Sequence, residues 1–496
     1  MTTATVAPEV EPAEPKKPRK WIKRTIIAIV AFFVLLFAIV LGVLLYFNIP
    51  TNSAGLAAQT VCSGTFVSGR DAQTVFDDDV LPQSPALSVV SVSADQPNRT
   101  VTAKFLGIWS RQAALLPNRG CVLDGTPNPA AVPFVNTPES PEPWPAGGAA
   151  IPPTQWGAGV NVKGLENVVN QAFVGAGDPN SVNARGLAVV HDGKLLVQKQ
   201  GEGFPKDMPL MGWSMTKTIN AMLFYKRAKE TGFDLNPNKL VIDSFPADRT
   251  PSWVESWRSD PQKSTITIGD VLGMKTGLDI ADDYGPLGKV VQMLYGEPSM
   301  PAFAASQPML NAPGTEFAYS TGTSDILSEI TQGMFTNNEE YWKYWSENMF
   351  DPIGMKGGVF ATDTDGTWVG GSYVYASTGD WARLGQLMLN DGEWNGKQIV
   401  PAGWWQFAST PAMASGEGNG YGAQTWIPGQ PETGECASYP GIPKDTLSMD
   451  GHYGQLVAMV PSKNAVIVRL GWTVDKEQFD GCKLISDVVA NLPNAN

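Results

Sequence analysis

The sequence predicts an α+β fold, an antiparallel sheet completed by strands from both ends of a long region, with helices packed on it. Two hairpins and the helical stretches between them carry the prediction. Gly186-Leu-Ala-Val-Val-His191 and Lys194-Leu-Leu-Val-Gln198 flank Asp192-Gly193; Asp-Gly between apolar runs is a strong two-residue turn signal. Gln455-Leu-Val-Ala-Met-Val-Pro461 and Ala465-Val-Ile-Val-Arg-Leu-Gly471 form a second hairpin about Ser462-Lys463-Asn464. No internal repeat and no Rossmann or P-loop glycine pattern is present.

The elements follow in chain order. Residues 1–24 are polar, Pro-rich and basic at their end, with Lys16, Lys17, Arg19, Lys20, Lys23 and Arg24. Residues 25–47 carry no charge and as a helix would span about 34 Å, enough to cross a hydrocarbon core. The run exceeds the apolar stretch of a secretory signal; a cleaved signal with Ala54-Gly55-Leu56-Ala57 as its processing site is the alternative. The basic flank keeps residues 1–24 cytoplasmic and places the rest outside, as a single-pass protein of a bacterial inner membrane with a periplasmic or extracytoplasmic catalytic domain. Residues 48–125 hold short alternating runs, such as Leu87–Ser93 and Thr100–Leu106, which read as strands of a small β-rich unit. Residues 126–153 contain nine prolines, the composition of an extended connector, and residues 126–154 are expected to separate that unit from a domain at 155–496. That domain opens on a helical pattern at 164–173 and closes on one at 482–491. His191, beside the first turn, reads as a surface histidine.

Composition narrows the function. The chain has 496 residues and a net charge of -13, and the part beyond residue 24 carries -16. An acidic surface argues against a nucleic-acid partner. The charge also keeps the exported part off anionic lipid, so contact with the membrane would run through the one N-terminal helix. Two histidines and four scattered cysteines do not build the usual zinc sites; neither metal nor cofactor is expected, and a Ser-His-Asp triad is a poor fit. In an oxidising compartment Cys62, Cys121, Cys436 and Cys482 allow three disulfide pairings. The local pairs 62–121 and 436–482 are expected, with four buried thiols as the alternative.

The chemistry centres on Gly212-Trp-Ser214-Met-Thr-Lys217-Thr218. Ser214 begins a helical stretch ending near Gly232, and positions i and i+3 share a helix face, so Lys217 can reach the Ser214 hydroxyl. The helix N-terminus favours an attacking oxyanion. A serine is a poor nucleophile until a neighbour takes its proton, and a lysine does so only when burial or a nearby cation lowers its pKa. The plain alternative is an N-cap serine and a solvated lysine. Tyr319, in the turn-rich loop Asn311–Gly322 ahead of a helix bearing Ile326, Leu327, Ile330 and Met334, is a candidate to share that proton; the plain alternative is a tyrosine packed on the core. Met449-Asp-Gly-His-Tyr-Gly-Gln455 leads into the last hairpin. Its glycines allow a strand edge to approach substrate, and an N–H from that edge with the N–H of Ser214 would form an oxyanion hole.

Three such elements in this order resemble the serine β-lactamase and penicillin-binding-protein superfamily, and more closely its class C-like branch of esterases and 6-aminohexanoate-dimer hydrolases. The stretches Ile266–Leu278, Asp282-Asp-Tyr284, Thr378–Leu389 and Trp394–Pro401 are similar to that branch. The resemblance covers about residues 155–490. It implies a β-lactamase/transpeptidase-like fold with an all-helical subdomain, an acyl-enzyme on Ser214 and a Lys217/Tyr319 general-base pair. It further implies substrate contacts from Tyr284 and Thr321.

Three departures stand out. Lys275-Thr276-Gly277 is a decoy, because the family's K-T-G strand follows both other elements. The third element has no Lys-Thr-Gly. One register makes Met449-Asp450-Gly451 the triad and gives the oxyanion N–H to His452; another matches His452-Tyr453-Gly454 and gives it to Gln455. Tyr319-Ser320-Thr321 lacks the Asn of the family's Y-x-N form. The expected activity is hydrolysis of a small-molecule amide or ester, with carboxylate-bearing β-lactams disfavoured. A peptidoglycan D-Ala carboxypeptidase or endopeptidase is one alternative, and a non-catalytic binding protein on the same fold is another. The substrate and the oligomeric state are not legible in the sequence.

Overall fold

The computed structural model describes residues 20–134, 140–175, 182–410, 420–430 and 433–495. The chain divides into two compact units, Met1–Ile49 and Pro50–Asn496. The first holds one helix, Lys20–Tyr46. Among the described residues no helix is long and apolar enough to cross a membrane. Most of the expected cytoplasmic tail, residues 1–19, lies outside the described residues.

The second unit is built on a five-stranded antiparallel sheet. Its strand order is Leu447–Gly451, Gln455–Val460, Ala465–Gly471, Ala184–His191, Lys194–Gln200. Both expected hairpins are present, and they meet through Ala465–Gly471 and Ala184–His191, which joins the two ends of the region. Period-two alternation sends neighbouring side chains to opposite faces. Leu187 and Val189 pack with Leu165, Val169, Ile485 and Val488 from the Val162–Gln171 and Gly481–Val489 helices. Ala188 and Val190 face the other way, into the larger core of the helical region. A sheet buried on both faces accounts for strands that are apolar throughout. His191 is not a surface residue: it is 3% exposed, and its Nδ1 lies 2.9 Å from the carbonyl of Lys463. Pairing of the two hairpin turns covers it.

The expected boundaries around residues 48–154 need correction. Residues 90–123 do form a four-stranded meander, but residues 49–89 before it are mostly helical, led by Ile49–Cys62. Leu87 and Ser88 lie in a 3-10 turn, outside the strand that starts at Val90. The segment is stitched into the larger region. Arg111 donates to the Tyr295 carbonyl at 3.0 Å, Arg119 to Thr362 at 2.8 Å, and Ser68 to the Pro209 carbonyl at 2.6 Å. Ala54, Val61 and Phe66 share one apolar core with the helical region. The proline-rich connector is docked as well: Trp144 is buried edge-on against Trp394, and Arg383 donates to the Gly147 carbonyl at 2.9 Å. Periodicity locates strands, but it is blind to such long-range hydrogen bonds. The disulfides are the two local pairs, Cys62–Cys121 and Cys436–Cys482.

Candidate active site

Ser214 precedes the Met215–Thr231 helix, which ends on Gly232 in the left-handed conformation. The residue before it, Trp213, has φ 49°, a strained value for a bulky side chain. Packing holds it there: its ring meets Tyr284, His452, Tyr453 and Trp472, all within 5.9 Å between centroids. Gly212 has no room for a side chain, because a Cβ there would enter the Trp381 ring. Behind it, Leu210–Met211 pairs with Val374–Ala376 in a small three-stranded sheet, which fixes the approach to Ser214.

Ser214 occupies an N-cap position, yet its hydroxyl makes no capping bond. It accepts instead from Lys217 Nζ at 2.9 Å. Lys217 is 1% exposed and also donates to Thr321 Oγ1 at 3.0 Å and the Gly371 carbonyl at 3.1 Å. The plain alternative of a solvated lysine is therefore excluded. Burial pushes the Lys217 ammonium below its ordinary pKa, against the opposing pull of Asp282 and then Asp325. Removing an ammonium from water favours its neutral form, the form that can take a proton from a hydroxyl.

Tyr319 arrives from the loop before the Thr321–Gln332 helix. Its ring face lies 4.5 Å from Lys217 Nζ and is stacked on Trp426 at 5.2 Å. Burial drives the phenol well above its usual pKa and Tyr421 adds to this, while contact with the Ser214 hydroxyl opposes it. Ser214, Lys217 and Tyr319, far apart in sequence, thus meet around one hydroxyl. Thr321 is fully buried between Lys217 and Asp282, donating to Asp282 Oδ2 at 2.7 Å.

The third element closes the site. Gly451 ends the edge strand, and a Cβ there would strike the Gly212 carbonyl; the strand edge and the segment that leads into Ser214 are in direct contact. His452 stacks on Tyr284 at 4.2 Å. Burial, then Lys476 and Lys217, hold its pKa down at about 3, so it is neutral at ordinary pH. Gln455 lies opposite Gly451 on the neighbouring strand, and its side chain braces the turn by donating to the carbonyls of His452 and Gly471 at 3.1 and 2.6 Å. Asp450 accepts from Ser448 at 2.6 Å, and burial and Glu435 raise its pKa to about 8. Lys275-Thr276-Gly277 lies in a loop outside the sheet edge.

Sequence reasoning missed Asp282 as a partner of Lys217, at 3.6 Å, and also missed Trp426, Tyr421 and the Gly371 carbonyl. Asp282 stands in a stretch already similar to the family, but nothing local says which of two adjacent aspartates turns inward.

Comparison with known proteins fits this geometry. The family model described as Beta-lactamase matches residues 169–480. The chain belongs to the Beta-lactamase family. No curated protein sequence matches this β-lactamase-related chain significantly. Solved structures share its fold. A protein assigned as a 6-aminohexanoate-dimer hydrolase from Bacillus anthracis has a TM-score of 0.51 at 20% identity, covering 65% of this chain and 80% of that one. A protein assigned as a β-lactamase from Bacteroides dorei has a TM-score of 0.53 at 17% identity, covering 67% and 99%. A penicillin-binding-protein homologue from Caulobacter crescentus has a TM-score of 0.50 at 14% identity, covering 69% and 99%. At these identities the likeness shows the fold.

Proposed function

We propose that this β-lactamase-family chain is a serine hydrolase that cleaves an amide or ester through an acyl-enzyme on Ser214. The observation that carries the proposal is the buried Lys217 ammonium, 2.9 Å from a serine hydroxyl that does no capping. A lysine spends desolvation energy in such a place only if its partners compensate, and its partners here are the Ser214 hydroxyl, Thr321, a backbone carbonyl and the Asp282 carboxylate at 3.6 Å.

In the mechanism, Ser214 Oγ attacks the substrate carbonyl carbon while its proton passes to the Lys217/Tyr319 pair. The oxyanion is held by the N–H of Ser214 and an N–H of the edge strand. His452 is the better donor than Gln455, because Gly451 packs on the nucleophile segment whereas Gln455 belongs to the next strand in. The amine or alcohol leaves with a proton delivered through Tyr319. Water, deprotonated by the same pair, attacks the acyl carbon, and the acid departs as Ser214 regains its hydrogen. Neutral His452 and Tyr284 line the approach as a stacked pair. Met449 and Asp450 stand where a cationic strand residue would serve a substrate carboxylate, which disfavours carboxylate-bearing β-lactams.

The proposal includes an N-terminal membrane anchor. Its support is the uncharged run at 25–47 behind a basic cluster, which would leave the hydrolase outside the cell membrane and agree with the two disulfides. The experiment is a substrate panel of esters, linear amides, D-Ala-D-Ala peptides and β-lactams, run with the full chain and a Ser214→Ala control. Turnover of esters or linear amides that disappears in the variant is expected. Turnover that survives it contradicts the proposal.

A further inference from the structure

Asp282 stands outside the proposed proton-transfer pair, yet the site is organised around it. Its Oδ1 accepts the Thr321 N–H and its Oδ2 the Thr321 hydroxyl, both at 2.7 Å. Its own N–H donates to the Tyr319 carbonyl at 3.0 Å. The same Oδ2 lies 3.6 Å from Lys217 Nζ, and Lys217 donates to the Thr321 hydroxyl that Asp282 orients. One residue therefore ties three parts together: its backbone N–H holds the Tyr319 loop, and its carboxylate grips the first turn of the Thr321–Gln332 helix and faces the ammonium. Thr321 occupies the place where the family form Y-x-N has an amide. A threonine hydroxyl gives one proton and can receive another, so with Asp282 accepting from it, it is left free to accept from Lys217.

We propose that Asp282 is a positioning residue that acts through Thr321 and Lys217, and that its charge governs the pH at which Ser214 becomes nucleophilic. The proposal rests on the serine-hydrolase reading above and deepens it.

The neighbours of Lys217 leave Asp282 as the group that supplies negative charge. Asp325 faces the ammonium from the Thr321–Gln332 helix, but it is fully buried, accepts the Gly371 N–H at 3.1 Å, and has its second oxygen unpartnered among the described residues. Burial raises its pKa well above the carboxylate range, which favours the neutral acid. Tyr319 presents a ring face and is itself pushed up by burial. Tyr284 and Tyr421, which also lie near Asp282, are raised by burial and stay neutral. His452 is neutral, and Asp450 acts on Tyr319 from the edge strand with a pKa near 8.

The sign follows from electrostatics. A carboxylate within about 4–6 Å holds a lysine protonated and typically shifts its pKa by about 1–3 units. Activity that needs neutral Lys217 appears only as pH rises through that pKa. Neutralising Asp282 lowers the pKa, so the acidic limb moves to lower pH. If Tyr319 takes the proton instead, an ammonium no longer neutralised by Asp282 stabilises the phenolate better, and the limb moves the same way.

The test is the rate at which a fluorophosphonate labels Ser214 in the full chain across pH, for wild type, Asp282→Asn and Asp282→Glu. The expected result is an acidic limb displaced downward by about one to three pH units in Asp282→Asn, with Asp282→Glu staying closer to wild type. Coincident limbs for wild type and Asp282→Asn overturn the proposal while leaving the hydrolase reading intact. A wild type that takes no label at any pH overturns both. If Asp282→Asn does not fold, as judged by circular dichroism, Asp282→Ser takes its place as the neutral variant. Loss of fold in both assigns Asp282 to structure alone and overturns the proposal.

Discussion

The link between the N-terminal segment and the β-lactamase-family region runs through a buried ion cluster whose disruption has a calculable cost. Asp79 pairs with both Arg185 and Arg70. The side chains of Asp79 and Arg185 are 6% and 4% exposed. Arg185 also lies over the rings of Phe204 and Trp472, at 4.8 and 4.9 Å. Trp472 packs on Trp213, the residue before Ser214, and Asp79, Arg185, Met211 and Trp472 line one cavity. Replacing Asp79 by Asn leaves two guanidinium groups without their shared carboxylate. Arg70 keeps a half-exposed partner in Asp78 at 2.9 Å, but Arg185 keeps none of comparable strength. Breaking a buried pair by removing one partner typically costs about 3–5 kcal/mol, because a desolvated charge is left uncompensated. With an unfolding entropy of about 2.1 cal/mol/K per residue, a unit of this length loses about 1 °C per kcal/mol. Asp79→Asn is therefore expected to lower Tm by about 3–5 °C, and to slow labelling of Ser214. The assay is thermal and urea unfolding of the full chain, with Arg185→Met and the double variant completing a cycle. The double variant is expected to recover part of the loss, since apolar replacement of a buried pair is often neutral or better. A Tm for Asp79→Asn within about 0.5 °C of wild type, or a double variant no more stable than Asp79→Asn, refutes the reasoning.

Three further outcomes are expected. Gly451→Val drives a side chain into the Gly212 carbonyl and the Gln455 side chain; displacing the edge strand by about 1 Å is expected to cut the Ser214 labelling rate about a hundredfold with the protein still folded, and an unchanged rate counts against close approach of the two segments. Replacing Cys62 and Cys121 by Ser opens a crosslink spanning 59 residues, for which chain entropy gives a loss of about 4 kcal/mol, read as a shift in the urea midpoint. Glu329 is half-buried and accepts from Trp253 Nε1 at 2.7 Å, and desolvation raises its carboxyl to about 7. Because its folded pKa lies above the ordinary 4.5, its contribution is present at low pH and is lost as pH rises through about 7. Glu329→Gln should therefore gain stability relative to wild type between those values, by up to about 1.4 kcal/mol per pH unit, and a pH-independent difference contradicts this.

The sheet was legible because its strands announce themselves locally. Asp192-Gly193 and Ser462-Lys463-Asn464 mark turns, and the apolar runs beside them form strands with nearly the expected bounds. Ser214 and Lys217 were legible for the same reason, since three residues along a helix is a local distance. Asp282 was not. Its importance comes from a backbone bond to Tyr319 and two bonds to Thr321, across 37 and 39 residues, and no periodicity encodes them. The docking of residues 50–125 was hidden likewise: Arg111 and Arg119 look like ordinary strand and turn residues until their carbonyl and hydroxyl partners, some 180 and 240 residues away, come into view. His191 was misread because the burying element is another turn, distant in sequence.

In the proposed mechanism a buried lysine and a phenol activate one serine. Its most direct test is mass spectrometry of the full chain after brief exposure to a p-nitrophenyl ester or a fluorophosphonate. The expected result is a single adduct on the peptide carrying Ser214, lost in Ser214→Ala and formed about 10²- to 10⁴-fold more slowly in Lys217→Ala and Tyr319→Phe. An adduct on another residue, or the same rate of adduct formation in the Lys217 and Tyr319 variants, contradicts the account.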